Sequence, residues 1–213
     1  MKKRKKLLAL CLALLVAFSL VGCGDDTDDS GSQKKEYSPA VVENNVYTSQ
    51  FAGLTATLDS TWTVLNDEEI AQIVGVSIDM TDDAALKESL SSGNTIYDMY
   101  AMAADGATLN ITVGNLGAIY GKLLDMKTLA QSSAEQLVPA FESMGFTDVT
   151  AEVSTISFAG TEQTVIILQG SHQGITMYEQ LVCMKVGDYI LSITACSYGT
   201  DRTTEILSLF SAL

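Results

Sequence analysis

The sequence predicts an α+β domain, in which an antiparallel β-sheet of about six to eight strands carries helices packed on it. Three observations support this class. Short alternating apolar and polar runs recur along residues 46–213, compact Gly-containing turns separate most of them, and helical periodicity is confined to a few segments. Turns of a few residues join antiparallel strands, whereas parallel strands need long crossovers. The expected order of elements is ββα(α)ββαββββα.

The first elements are short. Val46 to Ser49 and Leu54 to Leu58 have the pattern of strands on either side of a Gly53 turn, and Trp62 follows as a core or rim anchor. Asn66 with Glu69 three residues later predicts a capping box and a helix from about 68 to 74. Residues 81–90 form a second, weaker helical stretch.

Asp105-Gly106 is the clearest hairpin signal in the chain. If Ala104 pairs with Ala107, the flanking apolar residues share one buried face of the hairpin. These residues are Tyr100, Met102, Leu109, Ile111 and Val113.

A long helix is predicted from about Thr128 to Met144, with Gly145 as its C′ residue. Pro139 lies inside this segment and predicts a kink or a break, because proline lacks the backbone N–H and clashes with the preceding turn. The apolar side of the helix consists of Leu129, Leu137, Val138, Phe141 and Met144.

A meander of four strands should follow this helix. The predicted strands are residues 149–158, 162–169, 175–186 and 189–197, with turns at Gly160, Gly170 to Gly174 and Gly187-Asp188. A last helix is predicted to start at Thr200 and to bury Ile206, Leu207, Phe210 and Leu213.

This order of elements resembles the PsbP/Mog-type fold, including small envelope lipoproteins of Firmicutes. The residues that carry the resemblance are Phe51-Ala52-Gly53-Leu54, Thr61-Trp62 and Phe158-Ala159-Gly160, together with the meander that ends in a short helix. It would cover Tyr47 to Leu213. The resemblance implies a helix-sheet-helix sandwich that is used mainly to bind other proteins and has no shared active site.

The N-terminus predicts a signal peptide over residues 1–22. A basic run from Lys2 to Lys6 precedes an apolar run from Leu7 to Leu20, and Leu20-Val21-Gly22-Cys23 follows. This resembles the lipobox of bacterial lipoproteins, which implies cleavage before Cys23 and a diacylglyceryl group on its thiol. The alternative, a transmembrane anchor, is disfavoured because the apolar run is shorter than the ~20 residues of a spanning helix.

Residues 23–45 are predicted to be the lipidated cysteine and a disordered acidic tether, and residues 46–213 a single domain. The tether contains Asp25, Asp26, Asp28 and Asp29 and little that is apolar. A calcium loop is disfavoured there because no register combines a glycine at the sixth position with a glutamate at the twelfth.

The charge of the chain disfavours a nucleic-acid partner. Five of the twelve Lys and Arg residues lie in the signal peptide, so the mature chain has a net charge of 7 − 26 = −19. Phosphate binding requires a Lys- and Arg-rich surface.

The side chains that could support catalysis are few. His172 is the single histidine, and the centre of its Gly170-Ser171-His172-Gln173-Gly174 segment is not the serine that a nucleophile elbow requires. The acid pairs Glu68-Glu69 and Asp82-Asp83 lie at predicted helix starts, where the helix dipole accounts for them. No metal or cofactor motif is present, so neither is expected.

Cys183 and Cys196 are expected to remain unpaired. With Gly187-Asp188 as a two-residue turn, Cys183 faces Ser192 and Cys196 faces Glu179, so the two thiols are offset by well over 10 Å along the strands. Two buried thiols are therefore predicted.

These observations predict a non-enzymatic lipoprotein on the outer face of the cell membrane. It would be held by lipid on Cys23 and would bind or scaffold another surface component, with a protein as its partner. The alternatives are a hydrolase of unfamiliar type and a binder of small ligands at the cell surface. The solute-binding subunit of a transporter is disfavoured because one small domain lacks two lobes.

Overall fold

The structure is a computed structural model that describes residues 35–74, 85, 88–90, 95–117 and 125–213. In these ranges the chain forms two antiparallel sheets, of four and seven strands, with few helices. The predicted antiparallel α+β architecture is confirmed at this level, although the strands divide into two sheets instead of one. No helix in these ranges has both the length and the hydropathy to cross a membrane.

The smaller sheet has the strand order β1-β2-β3-β11. Its first hairpin turns at Asn44 and Asn45, which both adopt positive φ (51° and 61°), as the tight turn between right-twisted strands requires. Its strands are β1 (Val41–Glu43), β2 (Val46–Ser49), β3 (Leu54–Thr57) and β11 (Phe210–Ala212).

The larger sheet has the order β4-β5-β6-β10-β9-β8-β7. One edge is the three-residue β4, whereas the other edge is the twelve-residue β7. The strands are β4 (Trp62–Val64), β5 (Ile96–Ala103), β6 (Thr108–Asn115), β7 (Thr147–Phe158), β8 (Thr161–His172), β9 (Ile175–Val186) and β10 (Tyr189–Tyr198). The predicted four-strand meander is confirmed as β7 to β10.

Three helices are delimited within the described residues: α1 (Asp67–Val74), α2 (Met126–Ser143) and α3 (Thr203–Leu207). The Asn66 and Glu69 capping box is confirmed, because each side chain accepts a hydrogen bond of 3.0 Å from the other residue's backbone N–H. The predicted helix at 81–90 lies largely outside the described residues, and 88–90 are helical.

The helix α2 runs through Pro139 without a break. Pro139 is exposed, so the carbonyl left without its helical hydrogen bond is on the solvent side, where water can serve as the donor. Gly145 follows the C-cap residue Met144 and has a φ of 91°. The N–H of Phe146 donates a hydrogen bond of 3.1 Å to the carbonyl oxygen of Phe141. This is the predicted glycine termination.

The core has two main layers, one on each face of the larger sheet. The first lies between the two sheets and includes Tyr47, Leu54 and Phe210 from the smaller sheet. The second lies between α2 and strands β8 to β10, and includes Leu137 and Phe141 of the helix. The larger sheet is therefore covered on both faces, and its central strands are buried on both.

The hairpin at Asp105-Gly106 has a different register from the predicted one. Met102 pairs with Thr108, and the N–H of Ala103 donates to the carbonyl of Ala107, so the loop has three residues and ends at Gly106 with φ of 94°. A shift of one position exchanges the faces of one strand relative to the other. Leu109 and Ile111 therefore lie beside Ala101 and Met99, and not beside Tyr100 and Met102.

Both ends of the described chain also differ from the prediction. The last helix ends at Leu207, and β11 replaces its second half by pairing with β3. Leu213 was expected to be buried but is 56% exposed, because it follows this edge strand. At the other end, the predicted tether reaches residue 45, whereas Tyr37 is buried and β1 lies within that stretch.

Candidate functional site

The candidate site is a row of polar side chains on the helix side of the larger sheet. Thr108 pairs with Cys196, Asn110 with Thr194, and Thr112 with Ser192, so the side chains of each pair project from the same face. We call five of these residues the polar strip: Thr108, Asn110, Thr112, Ser192 and Thr194.

The polar strip is buried. Thr108 is 1% exposed, Thr112 and Ser192 are 4%, Thr194 is 5% and Asn110 is 8%. Buried polar groups in folded proteins almost always have a hydrogen-bond partner, because an unpaired one costs about 1–3 kcal/mol. The strip therefore needs an explanation beyond packing.

The side chains of the strip do not pair with one another or with their surroundings. The hydroxyl oxygen of Thr108 is fully enclosed and has no partner among the described residues. Within the same ranges, the other four side chains also make no hydrogen bond. Five neutral donor and acceptor groups are thus directed to one face of the sheet and are not used by the fold.

Apolar groups flank the strip on both sides. On β5, Tyr100 and Met102 lie opposite Asn110 and Thr108, and Tyr100 packs against Ile70 of α1. On β9, Leu181 and Cys183 lie beside Thr194 and Ser192 and belong to the core under α2. The strip therefore occupies the part of the sheet between the residues covered by α1 and those covered by α2.

Glu179 lies at one end of the strip. It pairs with Cys196, which in turn pairs with Thr108, and it is 2% exposed. This buried carboxylate lies two strands from the hydroxyl of Thr108 on the same face.

The two cysteines occupy the predicted positions. Cys183 pairs with Ser192 and Cys196 with Glu179, and both thiols are free and buried. The predicted register is confirmed, and it offsets the two cysteines by four residues along the strands. Burial raises the pKa of the Cys183 thiol to about 12, so this cysteine is protonated at neutral pH and is a poor nucleophile.

His172 lies at the far end of β8, away from the strip. Its Nδ1 is 3.1 Å from the carbonyl oxygen of Gly145, and its ring packs on Phe146 with 5.0 Å between the centroids. These contacts hold the end of α2 against the turn between β8 and β9. Ser171 is the preceding residue in the chain. Within the described residues, His172 makes no hydrogen bond to a hydroxyl of the polar strip.

The remaining sequence candidates are placed as follows. Trp62 is a core residue, 5% exposed, on β4. Glu68 and Glu69 lie in the first turn of α1, as expected from the helix dipole. Cys23, the Asp cluster at 25–29 and the Asp82-Asp83 pair lie outside the described residues. In the described ranges no three His, Cys, Asp or Glu side chains group as a metal site.

A second polar cluster joins the N-terminal segment to the larger sheet. The carboxylate of Asp98 accepts hydrogen bonds from the hydroxyls of Tyr37 (2.5 Å) and Tyr47 (2.7 Å) and from the N–H of Ala40 (3.0 Å). Asp98 lies at the irregularity between Tyr97 and Met99 in β5. We call this cluster the Asp98 latch. The two tyrosine hydroxyls and the N–H of Ala40 all donate hydrogen bonds to the Asp98 carboxylate, so the cluster has a structural role.

Sequence reasoning missed both clusters. The alternation Thr108-x-Asn110-x-Thr112 on one strand and Ser192-x-Thr194 on another is visible in the sequence. Such an alternation normally predicts a solvent-exposed face, and only the fold shows that this face is buried. The pairing of Asp98 with two tyrosines more than fifty positions away has no signal in one sequence.

Comparison with known proteins finds a distant structural neighbour. The crystal structure of LpqN, described as involved in cell envelope biogenesis of Mycobacterium tuberculosis, is similar to this chain with a TM-score of 0.41 and 12% identity. The match covers 74% of this chain and 82% of that chain. No family model and no curated protein matches the sequence.

Proposed function

We propose that this chain is a lipid-anchored binding protein of the outer face of the cell membrane, and that its domain holds a ligand on the polar strip. The observation that carries the proposal is the burial of five neutral polar side chains that the described fold leaves without hydrogen bonds. Buried polar groups without a partner in the described residues require a specific explanation, and we propose contact with a ligand as that explanation.

The anchor is inferred from the sequence. A basic segment, a fourteen-residue apolar run and the Leu20-Val21-Gly22-Cys23 motif support cleavage and lipid attachment at Cys23. Two acyl chains on one cysteine would give stable membrane residence, which a single chain does not. The resemblance to the PsbP/Mog-type fold likewise rests on the sequence and remains a prediction.

Binding is favoured over catalysis by the chemistry of the strip. Hydroxyl and amide groups hydrogen-bond a ligand well, but a hydroxyl becomes a nucleophile only beside a base. The single histidine is bonded to Gly145 at the end of β8, and the Cys183 thiol has a raised pKa.

The anchor is tested by Cys23→Ala with metabolic labelling by a tagged fatty acid. We expect an uncleaved precursor without label, because both lipid transfer and cleavage require that thiol. Ser32→Ala, in the same N-terminal region, is the control and should be labelled normally. Labelling of the Cys23 variant at the wild-type level would refute the anchor.

Ligand binding is tested on protein extracted from membranes in a sugar-free detergent and weighed under native conditions. We expect a non-covalent mass addition that is lost in the Thr112→Val/Thr194→Val variant. Thr176→Val, on β9 with its side chain on the opposite face, should keep it. A native mass without any addition in the wild-type protein would count against the proposal.

A second candidate is binding of a protein partner at β7. This edge strand has twelve residues, whereas the other sheet edges, β1, β11 and β4, have three each. Proteins normally shorten or block exposed edges, because an open edge pairs with other strands. If a partner binds at β7, Ser154→Lys should prevent its crosslinking, and Ser211→Lys on β11 should leave the crosslinking unchanged. Equal crosslinking in the two variants would exclude this edge as the binding site.

A further inference from the structure

The edge of the larger sheet at β7 carries backbone groups that point away from the sheet. Phe158 pairs with Thr161 across the two-residue turn Ala159-Gly160, whose φ values are both positive (47° and 82°). The closing pair of such a hairpin exchanges both backbone hydrogen bonds, and hydrogen-bonded and non-hydrogen-bonded pairs alternate from there along the strands. The residues of β7 in non-hydrogen-bonded pairs therefore direct their N–H and C=O groups away from β8. They are Ala151, Val153, Thr155 and Ser157.

The backbone groups of these four residues are accessible to a further strand. β7 is the last strand in the order of the larger sheet, and no group among the described residues bonds to the outward N–H and C=O groups. The strand also contains no lysine, arginine or proline, the residues with which proteins often block a long edge. An open edge of this kind can bind an extended segment by main-chain hydrogen bonds.

Charge distinguishes between the possible occupants of this edge. Residues 23–213 have a net charge of 7 − 26 = −19, so a second copy of the chain would bring a large charge of the same sign. The elements at the edge, α2, β7 and β8, contain one lysine and five exposed carboxylates. A basic partner is therefore favoured over a second copy. The carboxylates are those of Glu135, Glu142, Asp148, Glu152 and Glu162.

The position of Glu152 in the ladder determines where a cation of the partner would lie. Glu152 is exposed and forms a hydrogen-bonded pair with Ile167 of β8, so it would take a non-hydrogen-bonded position opposite an added strand. Side chains lie closer together in such pairs, and opposite charges across them attract. Thr150 and Ser154 flank Glu152 on the same face and are neutral, so further cations of the partner meet no positive charge.

The face of β7 that lies under α2 favours apolar residues in the partner. Ala151 and Val153 are half-buried on this face and pack against the core under the helix. Apolar side chains of an added strand would cover their remaining exposed surface. Because successive residues of a strand alternate between the two faces, the segment that fits this edge alternates basic and apolar residues.

We propose that the open edge of β7 binds an extended basic segment of a protein partner, in which lysine or arginine residues alternate with apolar residues. This inference rests on the second candidate in the proposed function and specifies the chemistry of that partner. The main chain of the segment pairs with the outward backbone groups between Ala151 and Ser157, and its cations face Glu152.

The experiment measures the fluorescence anisotropy of labelled heptapeptides titrated with the lipidated protein in a zwitterionic detergent. The probes are Lys-Val-Lys-Val-Lys-Val-Lys, Glu-Val-Glu-Val-Glu-Val-Glu and Lys-Val-Lys-Pro-Lys-Val-Lys. We expect the first, the lysine peptide, to bind less tightly as salt is added, because ions screen the attraction, and the glutamate peptide not to bind. The proline peptide has the charge of the lysine peptide but cannot complete the ladder, so it should bind more than about tenfold less tightly.

Two variants locate the binding on β7. Thr155→Pro removes an outward N–H that β8 does not use, so it should keep the wild-type unfolding temperature and lose the lysine peptide. Glu152→Lys replaces an attraction by a repulsion, so it should weaken binding of the lysine peptide by about twofold to thirtyfold and allow the glutamate peptide to bind. Glu43→Lys, on the edge strand β1 of the smaller sheet, makes the same change in net charge and should keep both affinities near the wild-type values.

The outcomes separate the charge of the partner from the use of the edge. If the lysine peptide does not bind, or binds Thr155→Pro and Glu152→Lys as tightly as the wild type, the inference is overturned. If Thr155→Pro unfolds at a lower temperature, the comparison of Glu152→Lys with Glu43→Lys decides. If only the glutamate peptide binds and Thr155→Pro abolishes its binding, the assigned charge is wrong and the edge still binds strands. If no peptide binds and Ser154→Lys and Ser211→Lys crosslink equally, the inference and the β7 candidate both fail.

Discussion

The two faces of β6 and β10 are made by alternate residues of the same strands, yet they are chemically opposite. Toward the smaller sheet, the central parts of these strands present apolar side chains with no measurable exposure: Leu109, Ile111, Val113, Leu191, Ile193 and Ala195. Toward the helices, they present the polar strip. Both faces are buried, so burial alone does not explain the composition. The apolar face stabilises the domain, whereas the polar face carries side chains that make no hydrogen bond within the described residues.

The largest expected effect is on the apolar face. Ile111→Ala removes a fully buried side chain from the core between the sheets, so it should lower the free energy of unfolding by about 2–5 kcal/mol. Urea denaturation followed by the fluorescence of Trp62 measures the change. A loss below about 1 kcal/mol would show that this face is not the stabilising one.

An intermediate effect is expected at the Asp98 latch, which joins the smaller sheet to β5. Asp98→Ala leaves two buried tyrosine hydroxyls without their acceptor, which should cost about 1–3 kcal/mol of unfolding free energy. Asp188→Ala, at the turn between β9 and β10, is the matched control. Equal urea midpoints for the two variants would contradict a role of the latch in joining the sheets.

The same latch predicts a loss of stability in alkali. Burial, and then the neighbouring Asp98 carboxylate, raise the pKa of Tyr37 and of Tyr47 well above the usual value near 10. Below that pH both folded and unfolded states keep the phenols protonated; above it only the unfolded state ionises freely, so stability falls as pH rises. Urea midpoints from about pH 9 to 11 should therefore decline, and less steeply in Tyr47→Phe. A midpoint constant over this range would refute the assignment.

The smallest effect is expected on the polar strip. Thr112→Val/Thr194→Val keeps the shape of two side chains and removes hydroxyls that make no hydrogen bond in the described residues, so stability should change by less than about 0.5 kcal/mol or increase. Comparing its free energy of unfolding with that of Ile111→Ala directly tests the difference between the two faces. A loss as large as that of Ile111→Ala would mean that the hydroxyls stabilise the fold.

The sequence predicted the meander and the cysteine register correctly, because glycine-containing turns fix the pairing of long strands. It did not predict the register at Ala104 to Gly106. Asp105-Gly106 predicts a two-residue turn at this point, whereas the loop in the structure has three residues. That one position moved Tyr100 and Met102 to the wrong face. In the predicted register Asn110 and Thr108 oppose Ala101 and Ala103, whereas in the structure they pair with Tyr100 and Met102.

The second sheet was missed for a different reason. Strands of three residues, such as β1 and β11 of this sheet, are too short to show a period of two. The strand β11 exists because a distant partner completes its hydrogen bonds: it pairs with β3, more than 150 positions earlier. Local patterns contain no information about such a partner.

The Asp98 latch also determines how the domain responds to force. Tyr37 and Ala40 precede β1 and are bonded to Asp98, and Tyr37 also packs edge-on against Phe51 at 5.2 Å. A pull along the N-terminal chain therefore reaches these hydrogen bonds and rings before it reaches β1 or the central strands. The latch is therefore the first set of tertiary contacts that such a pull would load.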